Sequence, residues 1–247
     1  MNSLKKIFRL LIPISLCVLI LAGCAEPRCK TPIGIPLFNG NNLSGWRPPL
    51  GKWFVAQSVA LDKKNPHLLV AAPGAGLMVN GPEGKEPNIK TEAEFGDLDA
   101  HIEFLVSSNS NSGVYFMGRY ELQILDSWGK KEPNEHDCGA IYQRWKNGAG
   151  YEGHPPRVNA SKKPGQWQTY DVTFRAPRFD AAGKKTENAK FVKVIHNGVV
   201  IHENQEVTGP TRSPAFENEK PTGPLMLQGN HGPVAFRNLR VKPTSLP

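Results

Sequence analysis

Glycine and proline occur so often along this chain that they exclude most helical architectures. The 247 residues include 24 Gly and 22 Pro. Glycine loses much backbone entropy in a helix, and proline lacks the amide hydrogen that a helix needs. No long stretch of the sequence keeps a helical period, so a helical bundle is excluded.

Short apolar stretches lie between these interruptions and alternate with polar residues. In residues 99–106 the apolar Ile102 and Phe104 recur at every second position, which is typical of a half-buried antiparallel strand. Asn197 and Gly198 separate two such stretches and favour the type I′ turn of a β-hairpin. Many short strands with frequent turns predict an all-β protein, an antiparallel jelly-roll β-sandwich.

The first 23 residues resemble the signal peptide of a bacterial lipoprotein. Three basic residues precede an apolar run at positions 10–22, which is shorter than the ~20 residues of a membrane-spanning helix. The run ends in LAGC, which is similar to a lipobox whose cysteine, here Cys24, receives lipid. We expect residues 1–23 to be removed. An ordinary cleaved signal or an uncleaved anchor is the alternative.

The net charge of +8 falls to +5 without this signal, which holds three basic residues and no acidic one. The other basic residues are scattered through loops, so we expect no nucleic-acid partner. Residues 24–36 are Pro-rich and predict a tether, with the folded domain at 37–247. We expect an exported protein, bound to the membrane through its lipid anchor, in the periplasm, at the outer membrane or on the bacterial cell surface.

Cysteine and histidine spacing predicts no transition-metal site. Cys29 and Cys138 remain in the exported chain, and an oxidising compartment would allow them to pair, although sequence alone does not decide this. No cofactor is expected. A Ca²⁺ ion in the Asp- and Asn-rich loops stays open as an alternative.

Polar side chains alternate with apolar ones along residues 119–125. In a strand, Arg119, Glu121 and Gln123 would share one face, with an apolar core on the other. A cation, a carboxylate and a carboxamide in a row suit the hydroxyl groups of a sugar. A solvent-facing ion pair without function is the alternative.

Two further features favour a sugar site. In the polar cluster at 227–233, His231 lies between small residues, and histidine is the commonest side chain for proton transfer near neutral pH. The long irregular stretch 126–166 is typical of a functional loop. It carries Trp128 and Trp145, whose flat rings suit the face of a pyranose.

Several separated motifs follow one another in a recognisable order. They are LFNG (37–40), LSGW (43–46), NSGVY (111–115), YELQILD (120–126), PGQW (164–167), NG (197–198), GPL (223–225), HG (231–232) and FRN (236–238). Over most of residues 37–243 the chain thereby resembles the 3-keto-disaccharide hydrolase family, which has a concanavalin/laminin-G-like jelly roll. One departure is Asn230, where many relatives carry Asp.

The resemblance implies hydrolysis of a glycoside that is already oxidised at C3. A C3 ketone acidifies the C2 proton, so a base can remove it, the C1 substituent can leave and water can then add. We expect His231 or Glu121 as the base and Arg119 or Arg237 as the partner of the enolate. The groups expected to bind the sugar are Gln123, Asp126, Trp128, Gln228 and Arg237.

Three alternatives stay open from the residues alone. Retaining or inverting hydrolysis by Glu121 and Asp126 is the weaker enzymatic one, because their parity on a strand would place them on opposite faces. A non-catalytic carbohydrate-binding module could use the same jelly roll, since a fold does not decide a function. The third alternative is an interaction protein of the cell surface.

Overall fold

The structure is a computed structural model, and it describes residues 34–247. All the regular elements among these residues are β-strands. In chain order they are β1 Ile35–Pro36, β2 Trp46–Arg47, β3 Phe54–Leu61, β4 Leu69–Val79, β5 Ile89–Phe95, β6 Leu98–Val106, β7 Asn111–Phe116, β8 Tyr120–Leu125, β9 Arg144–Lys146, β10 Ala149–Tyr151, β11 Gln168–Arg175, β12 Arg178–Phe179, β13 Lys185–Glu187, β14 Ala189–His196, β15 Val199–Val207, β16 Gly223–Leu227 and β17 Val234–Pro243.

The strands form two main sheets. The large sheet has eight strands in the order β15-β14-β11-β6-β17-β4-β3, with β1 added beside β17. The small sheet has five strands in the order β2-β5-β16-β7-β8, and every pair in both sheets is antiparallel. Two short ribbons, β9-β10 and β12-β13, complete the described fold. The predicted all-β antiparallel sandwich is confirmed.

The core lies between the two sheets and is rich in aromatic rings. Phe116 of the small sheet packs against Phe174 and Phe191 of the large sheet, with ring centroids 5.2 and 5.3 Å apart. The predicted alternation in β6 is confirmed, since Ile102 and Phe104 are fully buried in this core. Burial of these apolar surfaces at about 25 cal/mol per Å² is the main stabilising contribution.

The predicted hairpin at Asn197-Gly198 connects β14 and β15. Both residues have left-handed backbone, with φ of 50° and 84°. A type I′ turn needs this conformation at both central positions, and asparagine and glycine adopt it at low cost.

The predicted signal peptide, the predicted lipidation site at Cys24, and Cys29 all lie outside the described residues. Within the predicted tether, Ile35 and Pro36 already pair with β17. Cys138 is buried, and its sulfur lies 3.1 Å from the Tyr170 hydroxyl. Across residues 34–247, no helix has the length and apolar character needed to cross a bilayer.

Candidate active site

A polar cavity of about 180 Å³ lies on the outer face of the small sheet, opposite the core. Strands β7 and β8 form its floor, and the loops after β8, β15 and β16 form its walls. The lining residues are Asn111, Tyr115, Glu121, Gln123, Tyr142, Arg212, Ser213, Gln228 and His231. Of the predicted site residues, the structure therefore brings Glu121, Gln123, Gln228 and His231 together.

Alternation along β8 separates the cavity from the core. Leu122 and Ile124 are buried between the sheets, whereas Glu121 and Gln123 point to the opposite face. Residues 139–142 run beside β8 and extend the sheet through backbone hydrogen bonds with Glu121 and Gln123, and the loops that carry Tyr142 and Arg212 lie over this face. Glu121 and Gln123 are therefore only 2% and 3% exposed, although they do not belong to the core.

The Glu121 carboxylate lies directly over the backbone of β7. A Cβ atom on Gly113 would be 2.2 Å from Glu121 Oε1, so glycine is the residue that leaves room for the carboxylate. The Glu121 backbone N–H donates to Thr211 Oγ1 at 3.1 Å, which links the strand to the loop above it. The neighbouring Tyr115 is paired with Glu121 in the strand register.

Burial raises the pKa of the Glu121 carboxyl from 4.5 to about 8, and a hydrogen bond with Tyr115 opposes this only in part. Desolvation penalises the charged form of a carboxyl, so the proton is retained at higher pH. At neutral pH, Glu121 is therefore mostly protonated. It can donate a proton in the cavity, which is the property of a general acid.

Three carboxamide oxygens in the cavity have no hydrogen-bond partner among the described residues. They are the buried side-chain oxygens of Asn111, Gln123 and Gln228. The amide nitrogens of the two glutamines are engaged, with the His136 carbonyl and the Tyr115 hydroxyl respectively. Unpaired buried acceptors are costly, so these oxygens are suited to accept hydrogen bonds from hydroxyl groups of a ligand.

His231 lies in an exposed loop whose backbone is held by hydrogen bonds from a buried side chain. The buried Asn80 side chain donates to the carbonyls of Gly229 and Gly232 at 2.9 and 2.8 Å. His231 Nδ1 lies 2.5 Å from Asn230 Oδ1. Because that oxygen only accepts, Nδ1 of a neutral imidazole carries the hydrogen, which leaves Nε2 free to accept a proton.

The cation of the cavity is Arg212, which no pattern in the sequence singled out. It lies between β15 and β16, and its guanidinium carbon is 3.8 Å from the centroid of the Trp145 ring. Tyr142 lines the cavity from another loop. Burial, together with the nearby Glu121, raises the pKa of the Tyr142 hydroxyl, which is thus held in its protonated, donating form.

Arg119 does not line the cavity, although the sequence places it in the same alternation as Glu121. Strand β8 begins only at Tyr120, and Arg119 belongs to the turn in which Met117 and Gly118 have positive φ. The turn redirects the Arg119 side chain, which donates to the carbonyls of Met117 and Asn218 at 2.7 and 2.6 Å. The structure thus corrects the prediction that Arg119 lies in one site with Glu121 and Gln123.

Arg237 lies on the other sheet. It is part of β17, where its Nε donates to Glu103 Oε2 at 2.6 Å and its guanidinium carbon lies 4.1 Å from the Trp167 ring centroid. Phe236, the preceding residue, faces the core, so Arg237 points to the outer side of the large sheet. Arg237 therefore lies away from the cavity, in contrast to the sugar-binding role predicted for it.

A comparison with protein families finds one match across most of the chain. The sequence profile of the 3-keto-alpha-glucoside-1,2-lyase-like domain matches residues 34–242. The chain belongs to this family. The predicted resemblance is confirmed, and membership makes the chain a glycoside-processing protein of hydrolase- or lyase-like character. The comparison with curated proteins finds no match.

Solved structures of similar fold support the assignment. A candidate glycosyl hydrolase from Parabacteroides distasonis ATCC 8503 is 28% identical, with a TM-score of 0.62 over 85% of this chain and 84% of its own. A second candidate glycosyl hydrolase from the same organism is 16% identical, with a TM-score of 0.55 over 85% of this chain and 93% of its own. The second shows the fold alone.

Asp126 and Trp128 follow β8 but do not line the cavity of this family member. The two Asp126 oxygens accept from the backbone N–H groups of Asn109 and Trp128, so the carboxylate is used in shaping the local turn. Trp128 is 53% exposed, and Lys163 Nζ lies 4.8 Å from its ring centroid. The contacts predicted between these two residues and the sugar stay predictions.

Some lining residues could have been found from the sequence, and others could not. Asn111 and Tyr115 lie in the NSGVY motif at even spacing, and pairing of β7 with β8 places Tyr115 opposite Glu121 and Asn111 opposite Leu125. The alternation of side chains along a strand could therefore have predicted that both residues lie on the face of the cavity. Tyr142 and Arg212 are brought in by irregular loops, whose path no local pattern predicts.

Within residues 34–247, no group of three or more His, Cys, Asp or Glu side chains is placed to hold a metal ion. Among these same residues, the acidic side chain of the cavity is Glu121 alone, which is mostly protonated at neutral pH. The other oxygen donors in the cavity are carboxamides and hydroxyls, which suit a neutral hydroxylated ligand better than a dication.

Proposed function

We propose that the protein cleaves 3-keto-glycosides, with the oxidised sugar bound in the cavity on the small sheet. The carrying observation is that a protonated Glu121, a proton-accepting His231 and the Arg212 cation line one cavity with three unpaired carboxamide oxygens. This set supplies an acid, a base, a positive charge and hydroxyl recognition in one place.

The cavity fits a single sugar ring. Its volume of about 180 Å³ is below the ~300–1,000 Å³ of sites that enclose a drug-sized ligand. The oxygens of Asn111, Gln123 and Gln228 would accept hydrogen bonds from the ring hydroxyls. The rest of the leaving group would then extend out of the enclosed part, while the glycosidic oxygen stays inside it.

In the proposed reaction, His231 Nε2 removes the C2 proton, which the C3 ketone has made acidic. The electrons form an enolate, whose oxygen is stabilised by Arg212. The C1–O bond then breaks, and Glu121 gives its proton to the departing oxygen. Water adds to C1 of the resulting enone while C2 regains a proton, which completes the hydrolysis.

The raised pKa of Glu121 supports this division of labour. A carboxyl with a pKa of about 8 is mostly protonated at pH 7, so it is poised as an acid. His231 is exposed, and the Asn230 carboxamide orients its ring with Nε2 free. Of the two bases expected from the sequence, the environment therefore favours His231. Arg212 replaces Arg119 and Arg237 as the enolate partner.

The direct test is incubation of the purified protein with a 3-keto-glucoside and with its unoxidised parent. We expect release of the leaving group from the keto sugar alone, and solvent deuterium at C2 of the product. His231→Ala and Glu121→Gln should each lower kcat/KM by about 10²–10⁴-fold, the usual contribution of a general base or acid.

The matched controls are His67→Ala, which changes an exposed histidine that does not line the cavity, and Glu132→Gln on an exposed loop. Both should keep wild-type turnover. Binding of the keto sugar without release would instead support a carbohydrate-binding module. Equal release from the unoxidised parent would exclude the elimination route and favour ordinary glycoside hydrolysis.

A further inference from the structure

Residues 208–222, between β15 and β16, form the wall of the cavity that carries Arg212 and Ser213. This wall is attached to the turn between β7 and β8. The backbone N–H groups of Thr211 and Ala215 donate to the carbonyls of Arg119 and Gly118, at 2.9 and 2.8 Å.

The Arg119 side chain runs beneath this wall and is only 2% exposed. Its Nε donates to the Asn218 carbonyl at 2.6 Å, and Nη1 donates to the Met117 carbonyl at 2.7 Å. Its guanidinium carbon also lies 4.9 Å from the ring centroid of Phe216. One buried cation therefore joins the turn to two points of the wall.

Burying a cation is costly, and here two main-chain carbonyls bind the guanidinium directly, while the carboxylates of Glu219 and Glu94 favour its charge without a direct contact. Such an arrangement indicates that the guanidinium holds the backbone in a required shape. Arginine suits this purpose because its planar fork directs several donors at once.

The link continues from Arg119 to the catalytic side chains. Thr211 Oγ1 donates to the Arg119 carbonyl at 3.0 Å and accepts from the Glu121 backbone N–H at 3.1 Å. The next residue along the chain is Arg212, whose own N–H donates to the Gln143 carbonyl at 2.8 Å. The position of Arg212 relative to Glu121 therefore depends on the contacts of Arg119 and Thr211.

We propose that Arg119 is a positioning residue, which fixes residues 211–218 so that the Arg212 guanidinium stays over Trp145 and in the cavity. The outer ends of the wall have a separate attachment, since Lys185 Nζ donates to the Thr208 carbonyl at 2.7 Å and to Glu219 at 2.6 Å. Loss of Arg119 would thus loosen the middle of the wall and leave its ends in place. The effect on catalysis rests on the proposed function, whereas the effect on the wall does not.

Amide hydrogen exchange of the whole protein tests the proposal without a substrate. In Arg119→Met, protection of the amides of Thr211, Arg212 and Ala215 should fall about tenfold or more, as expected when a locally closed segment opens. Arg119→Lys should retain part of the protection, because an ammonium can still reach one carbonyl. Acrylamide quenching of Trp145, identified by comparison with Trp145→Phe, should increase in Arg119→Met.

The control is Arg175→Met, which removes another buried arginine, on the large sheet, that donates to the Asn188 carbonyl and to the Glu187 carboxylate. It should lower the melting temperature and leave the protection of residues 211–215 unchanged. If Arg119→Met and Arg119→Lys both keep wild-type protection there and wild-type Trp145 quenching, the proposal is overturned.

Turnover of a 3-keto-glucoside supplies the second readout. Arg119→Met should lower kcat/KM, and adding it to Arg212→Gln should cause little further loss, because both variants remove the same cation from the cavity. Fully additive losses would contradict the positioning role. If the wild-type protein has no turnover at all, the proposed function fails, while the exchange experiment still decides the role of Arg119.

Discussion

The environment of Glu121 determines the charge of the cavity. The side chain is buried beside Gly113 and Tyr115, and desolvation is the largest influence on its pKa. Burial of this carboxyl as an anion would reduce stability, so the folded protein favours its protonated form. The free-energy cost of burying Glu121 should therefore be measurable as a dependence of the free energy of unfolding on pH.

We predict that Glu121→Gln makes the protein more stable at high pH. The folded pKa of about 8 exceeds the unfolded value of 4.5, so the folded state holds one more proton between these values, and the free energy of unfolding decreases as pH rises through them. The carboxamide of the variant does not titrate, so the variant should gain on the order of 3 kcal/mol at pH 8 relative to pH 4.

Thermal unfolding of both proteins from pH 4 to pH 9 measures this difference. Glu132→Gln makes the same substitution on an exposed loop and should show no such trend. A constant difference between Glu121→Gln and the wild type over this range would mean that Glu121 is ionised in the folded protein, and its role as the acid would be lost.

At the scale of elements, the pairing of β7 with β8 builds the floor of the cavity. Gly113 lies in the middle of β7 and lacks the left-handed φ that would itself require glycine. Its small size is needed instead by the Glu121 side chain, which crosses from β8 over the neighbouring strand. The two residues thus form one structural unit.

We predict that Gly113→Ala destabilises the protein by about 1–3 kcal/mol, the usual cost of inserting a methyl group into a packed site. The same substitution in a Glu121→Ala background should cost much less, because the clashing carboxylate is gone. A double-mutant cycle from urea unfolding measures the coupling. Equal costs in the two backgrounds would show that Gly113 serves the strand and not the carboxylate.

Much at this scale was predictable from the sequence, because it follows from local rules. The alternation in β6 and the Asn197-Gly198 turn indicated the sandwich and one of its hairpins correctly. The alternation in β8 also placed Glu121 and Gln123 together. It did not reveal that Arg119 lies outside the cavity, because Arg119 precedes β8 in a turn in which Met117 and Gly118 have positive φ. Arg212 could not be predicted as a site residue, because tertiary contacts alone determine the path of its loop.

At the scale of the whole molecule, a network of charged side chains lies on the outer side of the large sheet. His101 of β6 lies between two carboxylates, with Nδ1 2.6 Å from Asp171 Oδ1 and Nε2 3.5 Å from Glu103 Oε1. Glu103 also accepts from Arg237 of β17, so the network joins β6, β11 and β17. The sequence alone suggested a sugar contact for Arg237, because alternation along one strand does not reveal which sheet that strand joins.

We predict that stability is highest near pH 4.5 in the wild type, and between about pH 4.5 and 6.5 in Glu121→Gln, where the titration of Glu121 is absent. The hydrogen bond with Asp171 and the Glu103 carboxylate 3.5 Å from Nε2 raise the pKa of His101 from 6.5 to about 9, so its contribution is complete below 6.5 and is lost as pH rises to 9. The contact with His101, opposed by burial, lowers the pKa of Glu103 from 4.5 to about 2, so its contribution is lost as pH falls through this range. Glu121 adds to the loss above pH 4.5.

His101→Gln separates the network from the cavity in this pH profile. Because the side chain of His101 is partly exposed and screened, the variant should lose only about 1 kcal/mol near pH 6 and progressively less towards pH 9. Its remaining decline at high pH should be that of Glu121, so combining it with Glu121→Gln should leave unfolding nearly independent of pH from 6.5 to 9. A steep decline that persists in the double variant would show that neither group controls stability at high pH.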